Sequence, residues 1–394
     1  MPSSADFVVP SIAHDGIAWA MRHMPLLTAT VRRHGSTLAG HRIAMCLHIE
    51  PKTAALVTLL SATGAQITLT GSPGTTQDDT ADALRELGVE VIGRRGDDEA
   101  QHARNIARVL EGDPELVLDN GADLITKLVD DGGCSSVRGA TEETTTGGLR
   151  LRERAEPVGF PVVVINDSPL KLLVENDFGV GQSVVQGFMN ATNLMVPAAR
   201  ATVVGYGPCG RGVAVTLARL GARVSVAEID PYRALEALMS GHRVGGLKEL
   251  LPDSEFVFLA TGRPGILDGD SLDLLPDGAV VAGVGHFPWE MDQSALARRT
   301  ASLRKLGTDG NERTIHRFRD GREITILAGT RMINLTAASG NPIQAMDLGL
   351  TLQARSLAAV ATNTLPTGPQ PVPAAIDREI ATDLVRLLSK SRQN

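Results

Sequence analysis

The run Val203-Val204-Gly205-Tyr206-Gly207-Pro208-Cys209-Gly210 spaces three glycines as Gly-x-Gly-x-x-Gly directly after a β-branched segment, and residues 213–220 behind it read as a helix. Glycine lets the backbone turn tightly and approach a ligand, and a helix N-terminus facing that turn favours phosphate. Glu228 follows about twenty residues later, at the end of the next apolar run, where a carboxylate takes ribose hydroxyls. Strand, turn, helix and acid in this order predict a dinucleotide site built on Gly205, Gly207, Gly210 and Glu228. The acid, with Asp230 close behind it, disfavours a 2′-phosphate and so selects NAD over NADP.

A turn of this kind needs a parallel sheet to carry it. Strands are predicted at 42–48, 66–70, 89–92, 116–118 and 162–165, alternating with helices at 51–61, 77–87, 99–110 and after Gly121. A second series places strands at 201–204, 224–227, 256–259 and 279–282. Strict alternation predicts an α/β chain of two doubly wound parallel-sheet domains, the second a Rossmann NAD-binding domain. Glycines at 179, 181 and 340 mark the crossovers, giving a first domain of residues 1–180 plus 340–394 and an NAD-binding domain of 181–339. A helical return closes the chain, with a long apolar helix at 344–361, a Pro-rich bend at 365–373 and an amphipathic helix at 375–388.

Composition narrows the class further. The 394 residues are 43% hydrophobic and 21% charged, which suits a folded globular chain and not a disordered one. A net charge of −7, without a basic stripe, gives no reason to expect a nucleic-acid partner. No apolar run has the length of a membrane span, and the first residues lack the features of a signal peptide, so no membrane partner and a cytoplasmic location are expected. Cys46, Cys134 and Cys209 show no metal-ligand spacing and read as reduced thiols, and no metal site is expected elsewhere; Asp78 and Asp79 read as charges at a helix start.

Further segments stand outside the dinucleotide pattern: Leu47-His48, Thr76-Gln77-Asp78, Glu142-Glu143-Thr144-Thr145-Thr146-Gly147, Asn166-Asp167-Ser168 with Lys171 and Asn176, Gly285-His286-Phe287 and Asn334-Leu335. Together, and in order along the chain, they resemble the S-adenosylhomocysteine hydrolase family. The resemblance implies a nucleoside-binding domain hinged to an NAD domain, an adenine nucleoside substrate, and a homodimer or homotetramer. It also implies oxidation of the ribose at C3′, removal of the acidified C4′ proton, loss of the C5′ substituent, addition of water and reduction of the ketone. On it, Lys171 matches the base at the 3′-hydroxyl, Glu143 the anchor of the ribose hydroxyls, and Glu175 stands where the family has an aspartate. Asn176, Thr144, Thr145, Thr146 and Asn334 match polar contacts around the nicotinamide and its ribose. His48 and His286 match histidines near C5′.

The match breaks at chosen places. Asn120 replaces the family aspartate in Leu118-Asp119-Asn120-Gly121, and an amide neither accepts nor delivers a proton. His48-Ile49-Glu50-Pro51-Lys52 replaces His-x-Thr-x-Glu, whose threonine and glutamate hold the base, so Glu50 and Lys52 are candidate base readers, with Leu47, Asn341 and Met346 as further candidate substrate contacts. Asn341 replaces the histidine of Gly-His-Pro, Val180 a cysteine, and residues 71–75 lack an expected asparagine and phenylalanine. The resemblance implies, beyond the last helix, a tail that reaches the NAD of a neighbouring subunit; residues 389–394 do not resemble it, so NAD is expected to be held less tightly or the dimer to close differently.

The oxidising half is thus kept while the parts around C5′ and the base are altered. The expected activity is a nucleoside dehydratase of the kind that angustmycin-type antibiotics require, with Lys171, Glu143, Glu175, His48, His286, Asn120 and Asn176 as its catalytic set. The alternatives are a divergent S-adenosylhomocysteine hydrolase, a nucleoside 3′-dehydrogenase and a non-catalytic NAD-binding regulator.

Overall fold

The computed structural model describes residues 12–72, 74–132, 135–307, 312–362 and 365–391. Cys134, the first six residues and the last three therefore lie outside the described residues. Among the described residues there are fifteen strands: β1 (Arg42–Leu47), β2 (Gln66–Gly71), β3 (Glu90–Ile92), β4 (Leu116–Asp119), β5 (Gly139–Glu142), β6 (Pro161–Val164), β7 (Arg200–Val204), β8 (Arg223–Ala227), β9 (Arg243–Gly245), β10 (Phe256–Leu259), β11 (Val280–Gly283), β12 (Thr300–Leu306), β13 (Arg313–Phe318), β14 (Glu323–Leu327) and β15 (Gly368–Pro371). The chain forms two compact units, one running to Leu172 and resuming at Ile343, the other spanning Leu173–Pro342.

The first unit is a seven-stranded, all-parallel sheet in the order β15-β6-β5-β4-β1-β2-β3. Strands β4, β5 and β6 are buried along their whole length, as sheets covered on both faces are. One cover is the helix Ile343–Ala361, which packs on β4, β5 and β6 and on the helix Pro25–His34. Asp347 on the long helix accepts hydrogen bonds from the backbone N–H groups of Leu26 (3.0 Å) and Leu27 (2.8 Å), capping the helix that begins at Pro25. The Pro-rich bend contains an unforeseen strand, β15, which sits at the sheet edge beside β6; prolines 369 and 371 are tolerated because an edge strand needs fewer N–H donors.

The second unit is an eight-stranded sheet, β12-β13-β14-β11-β10-β7-β8-β9. The run from β9 to β14 has the Rossmann order, and the antiparallel ribbon β12–β13 extends it. That ribbon escapes a sequence reading because β12 is exposed on both faces and shows no apolar alternation.

The unit boundaries fall after Leu172 and Pro342, not at residues 180 and 340. The π-helix Leu172–Gly179 runs without a break into the helix Val180–Thr192, so Gly179 and Gly181 do not interrupt it. A Cβ on Gly212 would lie 1.9 Å from the Asp177 carbonyl oxygen, and Arg211 pairs with Asp177 at 3.0 Å, which fastens this segment to the second unit.

Candidate functional site

In the first unit the strand order reverses between β1 and β4, and ligands of such sheets bind beyond the carboxyl ends of strands at that switch. Strand β1 delivers His48 there, β4 delivers Asn120, and β5 delivers Glu143. Asp119 is in register with Glu142, so the next residues, Asn120 and Glu143, emerge side by side. Asn120 Nδ2 donates to Glu143 Oε2 at 2.8 Å, and both residues are buried. Because a carboxylate only accepts, the amide orientation is fixed, and Asn120 Oδ1 is left buried with no hydrogen-bond partner among the described residues.

The carboxylates just upstream hold the backbone. Asp119 accepts from the N–H groups of Asn120 and Ile125, both at 2.9 Å. Burial, with the nearby charge of Glu142, pushes the Asp119 carboxyl well above its ordinary range. Burial likewise raises Glu142 to about 7. Thr144 is the N-cap of the helix Thr145–Arg152: its Oγ1 donates to Glu142 (2.6 Å) and accepts from Gly147 N–H (2.9 Å), so residues 144–146 open a helix and are not a strand.

Lys171 is buried, with Nζ 3.5 Å from Asn166 Oδ1. Asn166 Nδ2 donates to Thr145 Oγ1 at 2.5 Å, which joins the lysine turn to the threonine segment. Thr146 is half-buried on the same first helical turn. The base of the turn is Ser168, which caps the helix Pro169–Lys171.

Around β1, Leu47 is fully buried, and Glu50 caps the helix Pro51–Ser61 in a capping box with Thr53. Lys52 Nζ lies 2.7 Å from Glu50 Oε2 with both side chains buried, an ion pair removed from water. Burial raises the Glu50 carboxyl, and the Lys52 charge opposes that rise. His48 Nδ1 is 2.8 Å from Thr75 Oγ1, and the Thr75 hydroxyl donates its one proton to the Ser72 carbonyl at 2.9 Å. Thr75 therefore accepts from His48, which makes His48 the Nδ1–H tautomer with Nε2 as its accepting nitrogen. Burial lowers the imidazole to about 4, so it is neutral at physiological pH. Met346 is buried on the long helix beside Asp347.

The second unit carries the dinucleotide turn at its own switch, between β7 and β10. Its helix is longer than expected, running from Pro208 to Arg219 with Gly207 as N-cap. Gly205 has φ +92°, and a Cβ on Gly210 would lie 2.0 Å from the Gly205 carbonyl oxygen, so the fold itself demands both. Gly207 differs: the nearest atom a Cβ there would meet is Arg233 Nη1, at 3.8 Å. Packing does not require glycine at 207, whereas close approach of a pyrophosphate does, so the cradle fits NAD. Glu228 accepts from the N–H groups of Tyr206 (2.6 Å), Ile229 (2.7 Å) and Asp230 (2.9 Å), which fixes its carboxylate beside the turn.

A second cluster in this unit joins Glu175, Asn341, Ser183 and Asn334. Asn341 Nδ2 lies 3.5 Å from Glu175 Oε1, while Asn341 Oδ1 accepts from Ser183 Oγ (2.9 Å) and Asn334 Nδ2 (3.3 Å). Asn341, expected as a substrate contact, thus sits with Asn334 and Glu175. Asn176 is buried beside Glu175 on the π-helix, a helix type frequent at functional sites. His286 is half-buried after β11, edge-on to Phe287 with ring centroids 4.6 Å apart. Sequence reasoning gave no part to Ser183 or to Asp377, which have no local signature, and named Glu142 and Thr75 only within longer segments.

Comparison with known proteins agrees with this geometry. Residues 5–136 match the family model for S-adenosyl-L-homocysteine hydrolase, and residues 176–340 match its NAD binding domain. The S-inosyl-L-homocysteine hydrolase of Methanopyrus kandleri is 38% identical over 94% of this chain and 90% of its own. The adenosylhomocysteinase of Thermotoga maritima is 37% identical over 93% of this chain and 92% of its own, and that of Archaeoglobus fulgidus is 39% identical over 88% and 86%. Among solved structures, the dipicolinate synthase of Bacillus halodurans aligns with a TM-score of 0.52 at 14% identity, covering 82% of this chain and 99% of that one, a likeness of fold alone. The glycine cradle that fits NAD lies within the segment matched by the NAD binding domain, and the relatives align along nearly the whole chain, so the chain belongs to the S-adenosyl-L-homocysteine hydrolase family of NAD-binding enzymes.

Proposed function

We propose that this chain is a nucleoside dehydratase. It oxidises C3′ of an adenosine-type nucleoside, removes the C4′ proton, releases the C5′ hydroxyl as water and reduces the ketone, leaving a 4′,5′-unsaturated nucleoside of the angustmycin type. The observation that carries the reading is Asn120. Its orientation is fixed by Glu143, and its buried Oδ1 has no donor among the described residues, an arrangement costing about 1–3 kcal/mol unless a ligand supplies one. A C5′ hydroxyl has a proton to give; a thioether sulfur has none. Having no proton to exchange, the amide cannot do the acid–base work of the family's aspartate near C4′ and C5′, which falls to His48.

Oxidation at C3′ comes first because C4′–H becomes acidic only next to a ketone. NAD supplies the hydride acceptor for that step and the donor for the closing reduction. Lys171, in its neutral form, takes the C3′ hydroxyl proton and returns it to the oxygen in the closing reduction, and Glu143 holds the ribose hydroxyls. Neutral His48 takes the C4′ proton on Nε2 and returns it to the leaving hydroxyl, so water departs with no net change in protonation. Glu175, Asn176, Asn334 and Asn341 orient the cofactor's nicotinamide end.

A second reading is hydrolysis of a nucleosyl-homocysteine thioether, favoured by the full-length similarity to hydrolases acting on adenosyl and inosyl thioethers. Incubation of the NAD-loaded protein with both substrate types, followed by mass spectrometry, separates the two. The dehydratase reading predicts a product one water lighter than the hydroxylated nucleoside, and homocysteine release alone overturns it.

A further inference from the structure

We propose that Glu142 is the positioning residue of the nucleoside site, setting Asn120 and Glu143 against each other without touching substrate itself. This deepens the dehydratase reading and rests on it. Glu142 is fully buried and takes four hydrogen bonds from two separate loops. From the loop after β4 come the N–H groups of Gly121 (3.0 Å) and Ala122 (2.9 Å). From the turn after β5 come the N–H (2.8 Å) and hydroxyl (2.6 Å) of Thr144.

The loop after β4 needs such a partner. Gly121 and Ala122 have φ of +99° and +65°, two successive left-handed residues, and the second carries a Cβ that disfavours this conformation. In this turn the successive N–H groups of Gly121 and Ala122 both point at the Glu142 carboxylate, which holds the loop as an anion holds a turn of converging N–H groups. The other side of the carboxylate is closed by Gly147, where a Cβ would lie 2.2 Å from Oε1. Asn120 immediately precedes this turn, and Glu143 lies between Glu142 and Thr144. One carboxylate therefore fixes the backbone on both sides of the 2.8 Å contact between Asn120 and Glu143.

The test uses the full-length, NAD-loaded protein, with adenosine affinity by calorimetry and NADH formation by near-ultraviolet absorbance. In Glu142→Gln an amide N–H₂ faces one of the loop N–H groups. Adenosine affinity and the rate of NADH formation are expected to fall roughly tenfold to a hundredfold, the scale of a small misplacement of reacting groups. NAD affinity, set chiefly by the glycine turn and Glu228, is expected to fall less than adenosine affinity. Adding Ala122→Gly, which adopts the left-handed conformation without strain, restores part of the loss; melting temperatures are read alongside, and affinity that recovers without a matching rise in melting temperature marks repositioning rather than regained stability. Should Glu142→Gln not fold, Glu142→Asp carries the test, since its shorter carboxylate cannot span both loops. Wild-type affinity and rate in either folded variant overturn the proposal alone. A wild-type protein that binds no nucleoside overturns the reading beneath it as well.

Discussion

Asp377 lies 209 residues beyond Ser168 in the chain, yet Ser168 Oγ donates to Asp377 Oδ1 at 2.6 Å and accepts from the backbone N–H of Lys171 at 3.2 Å. The helix Ala374–Ser391 thus reaches back to the turn that presents the lysine. Burial raises the Asp377 carboxyl, and the serine hydroxyl opposes that rise. The C-terminal return is accordingly a support for the lysine turn as well as a cover for the sheet.

Ser168→Ala removes a helix cap and the link to Asp377 together. The cap is worth about 1 kcal/mol. Single-turnover NADH formation is expected to slow severalfold while KM for nucleoside changes little, because the lysine turn and not the nucleoside contact is loosened. An unchanged rate would show that Lys171 is positioned by other means.

The glycines of the dinucleotide turn separate fold from ligand. Gly207→Ala has room for its methyl group, so it folds normally and loses NAD affinity. Gly210→Ala places a Cβ against the Gly205 carbonyl and lowers the melting temperature even without NAD. NAD titration and thermal melting of both variants check this; wild-type NAD affinity in Gly207→Ala contradicts it.

Asp347 gives stability a pH dependence of definite sign. Burial raises its carboxyl to about 7, although the N–H groups of Leu27 and Leu26 favour the ionised form. The folded state therefore binds this proton more tightly than the unfolded state. The resulting stability is complete below the unfolded value, near 4, and is lost as pH rises through about 7, on the order of 4 kcal/mol at most. Asp119 and Glu142 act in the same direction. Thermal melts at pH 5 and pH 8 should differ less in Asp347→Asn than in the wild type, and an equal difference would exclude Asp347 as a source.

Lys52 and Glu50 form a pair whose halves depend on each other. Lys52→Met leaves Glu50 buried without its counter-charge, at a cost of about 3–5 kcal/mol before it protonates. Lys52 is also a donor suited to O6 of a 6-oxo purine, where adenine presents an amino group that donates instead. The ratio of inosine to adenosine affinity is therefore expected to fall in the variant, as read by calorimetry; an unchanged ratio would remove Lys52 from base recognition.

Most of the parallel strands and the dinucleotide turn are written locally, in runs such as 201–204 and 256–259 and in the glycine spacing, and so they are legible. Strand β15 is hidden because its prolines read as a bend, and β12 because neither of its faces is buried. At the site, Lys171, Glu143 and the glycines carry motif signals. The clamp made by Glu142 and the strap made by Asp377 do not, since each depends on backbone groups brought together only by the fold. The tautomer of His48 is likewise a tertiary property, set by the Thr75 hydroxyl and the Ser72 carbonyl.

The proposed dehydratase activity rests on Asn120, so the product mass is the most direct test. NAD-loaded protein and its Asn120→Asp variant are each incubated with C5′-hydroxy adenine nucleosides and with S-adenosylhomocysteine, and products are weighed by mass spectrometry. The wild type should give a nucleoside lighter by one water and no homocysteine, and the aspartate variant should gain homocysteine release. Rapid homocysteine release by the wild type, with no loss of water from any nucleoside, would contradict the assignment.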